Sequence, residues 1–422
     1  MRKRYKIGFT AGVFDLLHEG HLNILTRAKE YCETLVVAVT TDDLCKERKG
    51  CYPAIRFKDR CDQVLKTGYA DIVVAQRNMD KVSLCLSLNV NAVFVGDDWK
   101  GTDAWISLER QLSACSVDVI YLTRTPGISS SELRQQCKGM YLRFDDERDG
   151  YTLLKYDGTD DVINVPNRLG VYPILQIDSQ AFSFCKAKEI CCGDWIEKIG
   201  NEAFWSCTNL ESIILPEKLQ SLGKAAFANC VNLKNVHLPD GVITLPSYLF
   251  MGCCSLKNIM FSQNIERICS NVFDVDSPCV DNISGVYVVN NWAIGAAKGC
   301  TTVRIPQGCI GIADASFLGN SDIEVIYIPE SVRKIGAFCF DGSKLWDNSQ
   351  SAGIVYADQW AVGLVDNSLS VHSLTLRNGT IGIGDMAFAC CRNLHEIKGL
   401  ELVRYIGINA FRGCVRLEVV KC

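Results

Sequence analysis

The sequence predicts two architectures in series: an α/β domain built on a parallel sheet, then a solenoid of short stacked repeats. Three observations predict them. Apolar runs alternate with stretches of helical spacing through the first 140 residues. Phe204, Phe227, Phe250 and Phe273 then recur every 23 residues, a period that belongs to stacked supersecondary units. At 422 residues, finally, the chain exceeds one ordinary domain.

In the first region, 5–9 reads as a strand, and Leu22, Leu25 and Ala28 give 22–30 helical spacing. The unbroken apolar run 34–40 suits a strand buried on both faces. A helix over 57–67, a strand over 71–75, a helix over 81–88, a strand over 92–95, a helix over 104–114 and a strand over 117–122 complete the alternation. Ligands of such sheets bind beyond the carboxyl ends of the strands. Four polar segments fall there: 12–21, 41–49, 96–99 and 124–131.

The first of these, Gly-Val-Phe-Asp-Leu-Leu-His-Glu-Gly-His over 12–21, runs from a strand through a turn into a helix. His18 and His21 are three residues apart, so both can reach one ligand from a single helix face. A helix start also aims free N–H groups and a positive dipole end at an anion. No GxxxxGK[ST] phosphate loop is present. No third ligand stands near the pair, so no metal site is expected there. In 124–134, Ser129 and Glu132 have the spacing of a capping box, and the same serine hydroxyls could hold phosphate.

The segment 12–21 resembles the HxGH signature of the nucleotidyltransferase superfamily, in the form found in its cytidylyltransferase branch. Arg124-Thr-Pro-Gly-Ile-Ser-Ser-Ser131 resembles the RTxGIS[ST][ST] signature of the glycerol-3-phosphate, choline-phosphate and ethanolamine-phosphate cytidylyltransferases, and Gly96-Asp97-Asp98-Trp99 their GDDW segment. The resemblance covers about 5–137 and implies a Rossmann-like domain. It implies that His18, His21, Lys49 and Arg124 are catalytic, and that Lys81 and Arg60 bind substrate. Val13, Phe14, Asp15, Gly20, Gly96, Asp97, Asp98, Trp99, Thr125, Gly127, Ile128, Ser129, Ser130 and Ser131 would line the nucleotide site. Mg2+ bridging the CTP phosphates is implied as cofactor. One position departs: Gly68 stands where the family usually carries Arg or Lys.

Beyond residue 180, Ile/Leu-Gly-x-x-Ala-Phe segments recur around these phenylalanines, and with them a cysteine three residues later (Cys207, Cys230, Cys253, Cys414) and then a leucine (Leu210, Leu233, Leu256, Leu417). These positions read as core, not chemistry. The pattern resembles BspA-type leucine-rich repeats. Two longer gaps each hold a similar insert, Asn291-Trp-Ala-Ile-Gly295 and Gln359-Trp-Ala-Val-Gly363, expected as hairpins. The expected domains are 1–140, a linker and capping repeat over 141–180, and the array over 181–422.

Composition excludes little but points consistently. Net charge is −4, which argues against general nucleic-acid binding. Residues 1–140 hold 20 Lys+Arg against 17 Asp+Glu, leaving 24 against 31 in the rest; a mildly basic first region suits a triphosphate. No uncharged stretch reaches membrane-spanning length and no signal peptide is evident, so a cytoplasmic protein is expected. Sixteen of the 23 cysteines follow residue 140, many at the repeat period, which favours buried reduced thiols.

The resemblance implies transfer of CMP from CTP to a small phosphorylated alcohol, glycerol 3-phosphate first, with release of pyrophosphate. Choline phosphate or ethanolamine phosphate as acceptor is the alternative, as is an interaction protein whose transferase domain has degenerated. The array is expected to carry a protein or glycan partner, and the transferase domain to offer a homodimer surface.

Overall fold

The computed structural model describes residues 4–123, 130–262, 264–347, 353–365 and 371–418. The chain divides into two compact units, one of 1–158 with 164–178, the other of 159–163 with 179–422.

The first unit is built on five parallel strands in the order β3-β2-β1-β4-β5. These are β1 (Tyr5–Gly12), β2 (Cys32–Thr40), β3 (Ile72–Gln76), β4 (Ala92–Gly96) and β5 (Asp118–Leu122). Helices α1 (Glu19–Tyr31), α2 (Asp42–Lys49), α3 (Phe57–Lys66), α4 (Lys81–Ser87), α5 (Asp103–Ala114) and α6 (Ser130–Gln136) alternate with them. Phe9, Leu35, Val37 and Val39 are fully buried, as the unbroken apolar runs require when helices cover both faces. The strand order reverses between β1 and β4, which opens a crevice at the carboxyl ends of those two strands. The segments 12–21 and 96–99 leave the sheet there.

Two elements differ from the sequence expectation. Residues 42–49, read from the sequence only as part of a polar segment, form helix α2: Thr41 Oγ1 caps it by accepting from Leu44 N at 3.4 Å, and Gly50 closes it in the left-handed region (φ 74). Much of 141–180 is not a linker. β6 (Met140–Asp145) and β7 (Gly150–Tyr156) form an antiparallel hairpin, and after β8 (Val162–Asn164) and β9 (Arg168–Leu169), β10 (Tyr172–Ile177) pairs parallel to β7. The acidic run 145–150 is the hairpin turn, with Asp145 Oδ1 accepting from the backbone N–H of Glu147 and Arg148. Strands β6, β7 and β10 fall in the first unit. The buried Tyr151 hydroxyl accepts from Gln63 Nε2 at 2.9 Å, Lys66 pairs with Asp149 at 2.8 Å, and Val171 N donates to Leu17 O at 3.0 Å.

The second unit stacks short parallel strands with the repeat's period. Glu189–Cys191, Ser212–Ile214, Asn235–His237 and Asn258–Met260 form one ladder; Lys198–Ile199 pairs with Ser221–Leu222, and Thr244–Leu245 with Arg267–Ile268. Between the ladders Phe182, Phe204, Phe227, Phe250 and Phe273 stack at 5.2–5.6 Å between ring centres. The repeat cysteines donate their thiols to carbonyls of the preceding turn, Cys207 to Phe182 O at 3.0 Å, Cys230 to Phe204 O at 3.2 Å and Cys253 to Phe227 O at 3.1 Å. All cysteines among the described residues are free thiols. The two inserts are hairpins, Val286–Val289 with Trp292–Ala296 and Ile354–Ala357 with Trp360–Leu364.

Candidate active site

β1 delivers the chain into a turn in which Phe14 and Leu16 both lie in the left-handed region (φ 51 each). L-residues there cost about 1–2 kcal/mol, so the surroundings must impose the conformation. Four contacts do so. Arg60 donates to Val13 O, and through Nε to Ile55 O at 2.9 Å. Asp15 accepts from Ile55 N and Ala54 N at 3.0 Å, and its Oδ2 also accepts from Arg134 Nε at 2.8 Å. Leu17 O takes the Val171 N–H. Finally, the backbone at Gly170 (φ 64) lies so close that a Cβ would fall 1.9 Å from Leu17 O.

The turn ends at His18, the N-cap of α1. Its Nδ1 accepts from Gly20 N at 3.1 Å, which leaves Nε2 to carry the proton toward Ser130 Oγ at 3.2 Å. The His18 and His21 rings stack at 3.8 Å and 23°, with Phe14 5.1 Å from His21. His21 Nδ1 is buried with no hydrogen-bond partner among the described residues. Burial first, then the charges of His18 and Lys49, lower the His21 pKa to about 3. His21 is therefore a neutral imidazole at physiological pH, at a helix start, with a lysine at hand. Such a corner favours an arriving anion.

Lys81 is half-buried, and its pKa is lowered by burial and by the charge of Arg48; its Nζ lies 6.0 Å from the Trp105 ring centre. Asp97–Trp99 form a single 3-10 turn after β4, and Trp99 is 46% exposed. The expected site residues thus separate. His18, His21, Ser130 and the charge of Lys49 converge at the start of α1, whereas Gly96–Trp99 line the other side of the crevice.

Two residues differ from the expectation. Arg60, expected at the substrate, is fully buried, with its guanidinium committed to Val13 O, Ile55 O and Asp42 at 2.6 Å. It holds the loop, and its complete burial keeps it from a ligand. Asp15, expected at the nucleotide, is 1% exposed, with both oxygens bonded to the 54–55 backbone and Arg134. Arg124, Thr125, Gly127, Ile128 and Ser129 lie outside the described residues, as does the Ser131 side chain. Arg134 escaped the sequence reading; its i+4 spacing from Ser130 on α6 was the available signal. Gly68 takes φ 72 as its N–H donates to Leu65 O beyond α3, a C-terminal geometry that favours glycine over Arg or Lys.

The parallel sheet with paired histidines at its first helix start places this unit in the class of Rossmann-like α/β domains. A family model for cytidylyltransferase-like proteins matches residues 9–136, and one for the BspA type leucine rich repeat region matches 175–293 and 294–418 in six copies. Glycerol-3-phosphate cytidylyltransferase of Bacillus subtilis is 32% identical over 133 residues, which is 31% of this chain and 96% of that protein. The enzyme of the same name from Staphylococcus aureus is 32% identical over 133 residues, 31% of this chain and 93% of that one. FAD synthase of Thermococcus sibiricus is 35% identical over 100 residues, 23% of this chain and 68% of that one. The chain belongs to the cytidylyltransferase-like family in its first domain and carries BspA-type leucine-rich repeats in its second. No helix among the described residues is long and apolar enough to cross a membrane.

Proposed function

We propose that the first domain transfers CMP from CTP to the phosphate of a small phosphorylated alcohol, glycerol 3-phosphate in the first instance. The observation that carries this reading is the stacked His18–His21 pair at the start of α1, with His18 Nε2 3.2 Å from Ser130 Oγ. An acceptor phosphate oxygen attacks the α-phosphorus in line. The bond to the bridging oxygen breaks with its electron pair, and pyrophosphate leaves. The protein's task is positioning and charge neutralisation. His18 and His21 donate to phosphate oxygens, the α1 dipole adds to them, and Lys49, Arg124 and Ser129–Ser131 neutralise the triphosphate. Lys81 receives the acceptor phosphate, and Trp99 offers an exposed ring beside the nucleotide.

Magnesium enters, on this reading, with the CTP phosphates. Among the described residues there is no cluster of three His, Cys, Asp or Glu, and both oxygens of Asp15 are already bonded; the CTP phosphates would hold the ion. Two copies of this domain would form a homodimer, and the protein works in the cytoplasm, where CTP is made.

The test is pyrophosphate release from CTP or ATP, in Mg2+, across glycerol 3-phosphate, choline phosphate and ethanolamine phosphate, with mass analysis of the product. Release with CTP and glycerol 3-phosphate, yielding CDP-glycerol, is expected. Release with another acceptor alone overturns the assigned substrate. Silence with every pair, in folded protein, overturns the enzymatic reading in favour of an interaction protein.

A further inference from the structure

The two hairpins of the repeat array are the same device used twice. In each, a tryptophan opens the second strand, pairs with the last residue of the first, and is followed by the same bulge: Val289↔Trp292 and Tyr287↔Gly295, Ala357↔Trp360 and Val355↔Gly363. Each second strand then pairs in parallel with a Gly-Ile strand of the next repeat, Trp292↔Gly311 and Trp360↔Gly382. The indoles lie over those glycines so closely that a Cβ would fall 2.5 Å and 2.4 Å from the rings. Neighbouring repeats carry Thr244, Arg267, Lys334 or Tyr405 at the glycine's position. Glycine appears where the indole needs the space.

As fillers, these side chains are poorly chosen. Trp292 and Trp360 are 2% and 1% exposed, and the Nε1–H of each is buried without an acceptor among the described residues. An unmet buried donor is costly, and here it occurs at both equivalent positions. Each tryptophan also lines a cavity. The first, about 500 Å3, includes Asn290, Asn291, Arg333 and Lys334; the second, about 430 Å3, includes Arg333, Lys334, Arg404 and Tyr405. Both volumes fall in the range that takes a small molecule. Arg333 and Arg404 are exposed, and Lys334 Nζ reaches toward Ile265 O at 3.4 Å. Glu266 and Asp385 are the acidic residues of the second cavity, and the first has none.

We propose that this face of the array binds an anionic sugar, one unit in each cavity, with Arg333 and Lys334 between them. The donors fix the ligand's chemistry: guanidinium and ammonium groups, with two asparagine amides, call for an oxygen-rich molecule bearing negative charge. The cationic patch is local, since residues 141–422 hold 24 Lys+Arg against 31 Asp+Glu, so an anion is drawn to this face in preference to the rest of the array. The negative charge could be a carboxylate or a phosphate. Discrete cavities of this size suit sugar units rather than an extended peptide.

The test is calorimetric titration of the full-length protein, without CTP, with digalacturonate for the carboxylate and glucose 1-phosphate for the phosphate. Neutral cellobiose and hexaglutamate are the controls. Saturable binding of at least one anionic sugar is expected, with cellobiose at least about tenfold weaker. Arg333→Ala should weaken binding by about tenfold or more, which places the ligand on the array and not at the nucleotide site. Trp292→Phe and Trp360→Phe remove the N–H together with part of each buried ring, so each should weaken binding several-fold with a lowered melting temperature, whereas Arg333→Ala, at an exposed side chain, should leave the melting temperature unchanged. The proposal is overturned if folded protein binds neither sugar at millimolar concentration, if cellobiose binds equally well, if hexaglutamate binds more tightly, or if Arg333→Ala changes nothing.

Discussion

Left-handed backbone occurs at non-glycine residues in both domains and means different things in each. In the array it is periodic: Glu202, Ala225, Tyr248 and Asn271 take φ 55–63 at steps of 23 residues. Beside these turns the repeat thiols are satisfied, donating to carbonyls one repeat back. There the conformation is part of the repeat's turn, and stacking distributes its cost. In the first domain Phe14 and Leu16 adopt it within one loop, next to an unpartnered buried imidazole nitrogen and a strongly shifted pKa. Strain by itself therefore marks nothing. Strain beside an unsatisfied polar atom marks a place built for a ligand.

The contrast predicts where damage should fall. The largest effect expected is on the array's stability: Phe227→Ala removes a fully buried ring stacked on both sides and should cost about 3–5 kcal/mol, read from denaturant unfolding. A loss under about 1 kcal/mol would mean that the stack is not the array's core.

In the first domain the expected damage is to rate. Gly170→Ala drives a Cβ against Leu17 O, and a shift of the loop before His18 by about 1 Å should lower kcat on the order of a hundredfold. The KM for CTP should move less, and the alanine variant should still fold. Unchanged kcat would show that the small sheet of β6, β7 and β10 does not position the loop.

The third effect is on pH dependence. His21 is held neutral down to about pH 3 in the folded protein, whereas an unfolded chain protonates near pH 6.5. Between those values the unfolded state binds more protons, so stability falls as pH drops below about 6.5, by at most about 1.4 kcal/mol per unit from this group. Its contribution is absent above that value. His21→Asn should flatten this part of the profile. CTP, by placing phosphate beside the ring, should raise the His21 pKa, seen as proton uptake when binding heats are compared in buffers of different ionisation enthalpy.

Much of this was legible in the sequence, for identifiable reasons. Unbroken apolar runs gave the parallel strands, and a fixed spacing of Phe, Cys and Leu gave the array. Phe182 escaped because it precedes Phe204 by 22 residues, one short of the period. Helix α2 carries its cap, its acidic first turn, its basic last turn and its closing glycine in plain view, but with only Leu44 and Cys45 apolar it offers no helical periodicity to read. The 145–150 run looked like a linker because charge in a turn and charge in a linker read alike. Arg60 and Asp15 show the deeper limit. A charged residue that holds a loop and one that holds a ligand have the same letters, and only burial and partner atoms separate them. The tryptophan–glycine pairs were hidden for a related reason: their separations differ, 19 residues in one hairpin and 22 in the other.

The central claim is that His18 acts on the nucleotide and does not merely cap a helix. Pyrophosphate release from CTP and glycerol 3-phosphate by His18→Asn, beside the wild-type chain, tests it most directly, because asparagine keeps an acceptor for Gly20 N and so retains the cap. The account predicts a rate at least about a hundredfold lower at a melting temperature close to that of the wild type; an active variant with an undiminished rate would contradict it.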